Sequence, residues 1–179
     1  MVLYLNFFIC VAPVIMILTD PTVPGIMERP PRDPKQVIAN RSAVARWVAY
    51  GLVLFAISLV PLVWGPDALS PDRPTASMTM AFASMGLGTV VSGLLLRRFP
   101  SPGLEAPILN ALKIAIVPVG LVVLGTELDF LQRFLMTQPL TGLQWLACIG
   151  LSLVMGVVID TDKWRLRRRS AQRSAAPGT

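Results

Sequence analysis

Residues 1–32, MVLYLNFFICVAPVIMILTDPTVPGIMERPPR, decide how the rest of the chain is read. They open with an uncharged apolar run over residues 2–18. At about 1.5 Å per helical residue this run reaches the lower limit for crossing a bilayer core. Pro13 interrupts it, and the Pro-rich exit over residues 19–25 cannot continue a helix. The stretch reads as a short, broken membrane helix that delivers the chain into a basic loop containing Arg29, Arg32 and Lys35.

Four further apolar runs follow, at about residues 47–64, 76–96, 107–125 and 143–159. Trp47 and Trp64 bracket the first of these, as expected of side chains that anchor at both membrane interfaces. In the next, Ser84, Gly88 and Ser92 recur every fourth position and share one helix face. Ser152 and Gly156 repeat the pattern in the last run. Such small residues let helix backbones approach closely, so these five positions are expected to pack helices together. Lys113 lies inside the first two turns of the run at 107–125, where its stem can snorkel to the headgroups. Residues 131–135 read as a short interfacial segment.

A chain of 179 residues that is 54% hydrophobic belongs in a membrane, because no soluble core needs several charge-free runs of this length. The net charge of +6 does not point to nucleic acid, since the basic residues sit between apolar runs and not on a face interleaved with aromatics. Thirteen of the sixteen Lys and Arg fall in the connectors after the first and third runs and in the tail. The other two connectors hold Arg73 and Arg133 against Asp67, Asp72, Glu127 and Asp129. Lys and Arg concentrate on the cytoplasmic side, so the expectation is an all-α bundle of five transmembrane helices, N-terminus outside and C-terminus cytoplasmic. Residues 1–164 would form the membrane domain, and residues 165–179 a basic, disordered tail. Cys10 and Cys148 both lie in apolar runs and act as small hydrophobes. With no His and only these two thiols, no metal site is expected.

The opening stretch resembles a known family. Leu3-Tyr4-Leu5-Asn6, Pro13 and Ile26-Met27-Glu28-Arg29-Pro30-Pro31-Arg32 are similar to the sixth transmembrane helix and following loop of P-type cation-transporting ATPases, the calcium-pump-like branch above all. That family reads L-W-x-N-x-x-T-D-G-x-P and then I-M-x-R-P-P-R. Further on, Ala76-Ser77-Met78-Thr79-Met80-Ala81-Phe82 resembles the start of the eighth helix. Asn110, the stretch 130–139 and Gln144-Trp145-Leu146 resemble the ninth helix, the next connector and the tenth. The resemblance implies helices six to ten of a pump, with the same topology as the charge count.

The family's T-D, which supplies oxygen ligands to the transported cation, falls on Ile9 and Cys10. A carboxylate replaced by a thiol loses both charge and hardness, which calcium requires. The position of an eighth-helix glutamate falls on Thr89, and that of a nearby asparagine on Ser92. Asn6, Cys10, Thr89 and Ser92 are therefore the ion-pathway candidates, and all are uncharged. Hydrogen bonds within helix packing explain Asn6, Thr89 and Ser92 without any ion, and that reading is preferred.

The phosphorylation motif D-K-T-G-T is absent from the 179 residues, as is a Walker-type glycine loop. The chain is not expected to be an enzyme by itself, and it calls for no cofactor. Its expected partners are the lipid bilayer and either the remaining part of a P-type ATPase or another membrane protein, with the cell (plasma) membrane as its place. The reading is a standalone membrane domain, accessory to or remnant of a pump. The alternatives are a passive ion transporter or channel, and the C-terminal fragment of a full-length pump whose start is misassigned.

Overall fold

The computed structural model describes residues 1–19, 40–67, 69–70, 72–97 and 108–175. The R-P-P-R block, the turn at 99–103 and residues 176–179 lie outside the described residues. Every regular element among the described residues is helical. The first run is built in three pieces: α1 (Val2–Tyr4), a π-helical turn π1 (Leu5–Ile9) and α2 (Val11–Leu18). After it come α3 (Arg41–Trp64), α4 (Ala76–Leu96), α5 (Ile108–Glu127), the short α6 (Asp129–Leu135) and α7 (Gly142–Ala175). The chain is an all-α multi-pass membrane protein: among the described residues four helices, α3, α4, α5 and α7, are long and apolar enough to cross a bilayer. The first run stays shorter, and its helix is broken.

Pro13 explains that break. A proline donates no N–H, and its ring presses on the carbonyl four residues back, here that of Ile9. The widened turn sits just before it, closed by Cys10 N donating to Leu5 O at 2.9 Å. A π-turn absorbs one extra residue and lets the helix resume with a new rotation. Thr19 ends α2, its hydroxyl donating to the Ile15 carbonyl at 2.8 Å.

Side-chain caps start α3, α4 and α7. The Asn40 carboxamide accepts from Ala43 N at 2.8 Å, which opens α3 six residues before Trp47. Thr75 Oγ1 accepts from Met78 N at 3.2 Å to open α4. Thr141 and Gln144 form a reciprocal pair before α7: Thr141 N donates to Gln144 Oε1 at 2.8 Å, and Gln144 N to Thr141 Oγ1 at 3.4 Å.

Helix α7 corrects the expectation of a disordered tail. It continues without interruption from the apolar segment through Arg165, Arg167, Arg168 and Arg169 to Ala175. No Gly or Pro occurs between Gly156 and Pro177, and Arg, Ala, Gln and Leu all favour a helix. The Arg168 guanidinium stacks 3.7 Å over the Trp164 ring one turn earlier.

Helix α4 is the centre of the bundle. Half of it is buried, against a third or less of each other long helix. It touches α2, α3, α5 and α7 at once. Small residues make this possible, since Ala83, Ser84, Gly86, Gly88, Thr89 and Gly93 are all buried in contacts on different sides of the helix. The first run packs on one side, where a Cβ at Gly93 would lie 2.7 Å from the Pro13 Cβ. The main apolar cluster joins Tyr4, Leu5 and Ile9 to Met80, Phe82, Ala83, Val122, Leu135 and Cys148.

The ends of the bundle differ in charge. At the acidic pole, Asp67 ties two connectors together. Its carboxylate accepts from Ala76 N at 2.9 Å and from Gln138 Nε2 at 3.3 Å, while Gln138 N donates to Thr79 Oγ1 at 3.0 Å. Segment α6 closes the same pole, held by Gln132 Nε2 donating to Thr126 O at 2.7 Å and Thr137 Oγ1 to Gly125 O at 2.6 Å. At the basic pole, Tyr50 OH donates to Asp162 Oδ2 at 2.6 Å and clasps α3 to α7. Lys163, fully buried, donates its ammonium to the Leu95 carbonyl in the last turn of α4. A cation there complements both the orphan carbonyls and the negative end of the helix dipole.

Candidate membrane ion pathway and packing seams

The four ion-pathway candidates sit on two elements, the first run and α4. Asn6 lies in the π-turn with its side chain exposed, on the outward surface that also carries Leu3, Phe7 and Val14. Cys10 is half-buried and carries a free thiol. Ile9, one residue earlier, is fully buried and faces α4. A Cβ at Gly86 would stand 3.5 Å from its Cδ1.

On α4 the two candidate hydroxyls turn back onto their own helix. Thr89 is buried and donates from Oγ1 to the Met85 carbonyl at 2.8 Å. Ser92, half-buried, donates from Oγ to the Thr89 carbonyl at 2.8 Å. Such back-bonding satisfies a hydroxyl in a water-free environment without any partner outside the helix. Asn6 therefore points away from the bundle, whereas Thr89 is enclosed within it. Among the described residues, no group of three or more His, Cys, Asp or Glu side chains is placed to hold a metal ion.

The packing candidates are distributed over several seams. Ser152 Oγ donates to the Cys148 carbonyl at 2.7 Å and reaches the Ser84 carbonyl at 3.3 Å, so Ser84 and Ser152 meet where α4 crosses α7. A Cβ on Gly156 would stand 3.3 Å from Val91 and Leu95, which places Gly156 on the same crossing. Gly88 instead faces α3, where a Cβ would come within 2.9 Å of Leu54 Cδ1. Ser92 is occupied with its own helix. Cys148 is buried in this seam, its Sγ 3.6 Å from the Met80 carbonyl.

Two features were missed by reading the sequence. Gly93 is the glycine that receives the first run, at Pro13, while Gly86 is filled first by Val122 of α5, 2.6 Å from where a Cβ would stand, with Ile9 and Leu5 of the first run behind it. The second is the polar closure of the basic pole by Tyr50, Asp162 and Lys163. Tyr50 and Ser58 are the polar side chains in the apolar stretch 47–64 of α3, and Asp162 and Lys163 follow the last apolar run.

Residues 1–165 match the family model described as "Cation transporting ATPase, C-terminus". A search of the curated proteins returned no match. The matched region takes in the broken first helix, α3, α4 and α5, and α7 as far as residue 165, with the crossing seams around α4. The chain thus belongs to the family of carboxy-terminal transmembrane regions of cation-transporting P-type ATPases.

Proposed function

We propose that this chain is a pump-derived membrane domain that does not itself transport a cation, and that it acts as an accessory or remnant unit beside the helices of a P-type ATPase. The observation that carries the reading is the rotation of the first run. Ile9, which stands where the family has a cation-binding threonine, is sealed against α4 at Gly86. Thr89 and Ser92 spend their hydroxyls on α4 carbonyls. What the candidates offer a divalent cation is an amide, a thiol and two hydroxyl oxygens with no carboxylate among them, too few to replace six to eight oxygen ligands and without charge.

The outward position of Asn6 supports the association with further helices. An amide facing hydrocarbon without a partner costs several kcal/mol on the order given by transfer from water to an apolar medium. Helices packed over Leu3, Asn6 and Val14, beside the wall that carries Phe7, would remove that cost. In a P-type pump, these would be the membrane helices that precede this domain.

ATP chemistry tests the non-catalytic part of the reading. Purified protein incubated with labelled ATP is expected to form no acid-stable phosphoprotein and to hydrolyse no ATP above background. Phosphoprotein formed by the isolated chain would overturn it.

The orientation belongs to the same proposal: the acidic pole outside, the basic pole and the end of α7 in the cytoplasm, and the cell membrane as the site. The supporting fact is that thirteen Lys and Arg lie on alternate connectors and the tail. In a Cys10→Ser, Cys148→Ser background, a cysteine replacing Asp72 is expected to react with an impermeant thiol reagent in intact cells. A cysteine replacing Arg169 is expected to stay unreacted until the cells are opened. The reverse pattern would refute the orientation.

A further inference from the structure

The first run and α5 lie side by side and antiparallel. Tyr4 OH donates to the Leu121 carbonyl at 2.9 Å, and Met16 packs with Ala115 further along. Yet the two helices leave a groove on the outer side of this crossing, about 460 Å³ in volume. Phe7, Val11 and Ile15 form one wall, and Lys113, Val117 and Leu121 the other. The walls step along both helices in four-residue strides, so the groove runs about 12 Å parallel to the helix axes. All of its lining is apolar except at the Lys113 end.

That end is the basic pole, one turn from the Thr19 cap of α2 and near the start of α5. The Lys113 side chain is exposed, and no hydrogen bond or ion pair involves it among the described residues. The arrangement is a single ammonium at headgroup depth above an apolar channel that leads toward the bilayer centre. A net-anionic phospholipid has the matching chemistry, with phosphate at one end and hydrocarbon below it.

We propose that this groove is a binding site for one anionic phospholipid, its phosphate on the Lys113 ammonium and an acyl chain along Val11, Ile15, Val117 and Leu121. Ordinary snorkelling would let Lys113 meet any headgroup in passing. A site differs in that chain and headgroup are held together, so that filling the apolar groove displaces the lipid although the charge is intact. The proposal does not depend on which face of the membrane the basic pole occupies, nor on the ion site.

The test uses the full chain in detergent, exchanged into mixed micelles of phosphatidylglycerol and phosphatidylcholine, with retained lipid counted by native mass spectrometry. Phosphatidylglycerol is expected to be retained roughly five-fold over phosphatidylcholine, the contribution of one lysine near an anionic surface. Lys113→Arg should keep that preference and Lys113→Gln should lose it. Val117→Trp, a substitution on an exposed wall, should reduce retention of both lipids with Lys113 unchanged. Inorganic phosphate at equal concentration should not compete. Equal enrichment in the unmodified protein and in Val117→Trp would reduce Lys113 to a snorkelling residue and overturn the site. Full competition by inorganic phosphate would overturn the lipid as its occupant. Should Lys113→Gln fail to fold, Lys113→Arg combined with Val117→Trp decides the matter, because undiminished retention there overturns the proposal as well.

Discussion

Gly93→Leu is expected to detach the first run from α4. A Cβ at this position would stand 2.7 Å from the Pro13 Cβ and 3.0 Å from its Cα. The obstacle is a proline ring and its backbone, which cannot swing aside as the end of a flexible side chain can. The first run must therefore move as a unit. Its movement withdraws Ile9 from Gly86, Tyr4 from the Leu121 carbonyl and Met16 from Val90. Overpacking alone costs about 1–3 kcal/mol, and the loss of a buried seam takes the total to the upper end of what single substitutions do, about 4 kcal/mol or more. The check is thermal unfolding in detergent together with the rate at which Cys10, half-buried beside this seam, reacts with a thiol reagent. Gly150→Leu serves as the control, because a Cβ at Gly150 meets nothing within 4 Å. A shift in Tm no larger than the control's, with Cys10 reactivity unchanged, would show that the first run does not rest on Gly93.

The second large effect concerns the lost ion site. The unmodified protein is expected to give no saturable calcium signal in the micromolar range by isothermal titration. A neutral site has no carboxylate to offset the several kcal/mol needed to strip water from a divalent ion. Restoring the family's residues by Ile9→Thr, Cys10→Asp and Thr89→Glu is expected to destabilise the protein and not to rescue binding. Ile9 is fully buried, so its truncation leaves a cavity against Gly86 at a cost of about 2 kcal/mol or more. Thr89 is buried with its hydroxyl bonded to Met85, and a glutamate there would place a carboxylate in hydrocarbon, adding about 2.5–3.5 kcal/mol on membrane-insertion scales. The triple variant should therefore insert poorly or unfold at lower temperature, with or without calcium. Calcium-dependent stabilisation of the variant would instead mean that a pump-like cavity survives, since a ligand that binds the folded state raises Tm by mass action. A micromolar calcium signal in the unmodified protein, abolished by Asn6→Ala, would refute the main claim.

Much of the architecture was legible in the residues themselves. Charge-free runs of membrane length declare the environment without any tertiary information, because the cost of burying a charge in hydrocarbon forbids the alternative. The starts of α3, α4 and α7 follow from Asn40, Thr75 and the Thr141–Gln144 pair, which act within one turn of chain. The resemblance carried by Asn6, Pro13 and the I-M-x-R-P-P-R block pointed to the family that the match over residues 1–165 establishes. The end of α7 was misjudged because a run of arginines reads as solvated chain, whereas their helix propensity and the absence of any breaker prolong the helix.

The tertiary structure alone decided which way each side chain faces. Ser84, Gly88 and Ser92 lie in one row on α4, yet Ser84 meets α7, Gly88 meets α3 and Ser92 bonds within its own helix. Asn6 and Ile9 are three residues apart in the first run, and the first is exposed while the second is sealed. Nothing local distinguishes these outcomes. An apolar helix in a bilayer is apolar all round, so the hydrophobic pattern that fixes the rotation of a helix in water is missing. Rotation is set by where neighbouring helices can come closest, at Gly93 against Pro13 and at Gly86 against Val122, and by the π-turn that Pro13 imposes on the chain before it.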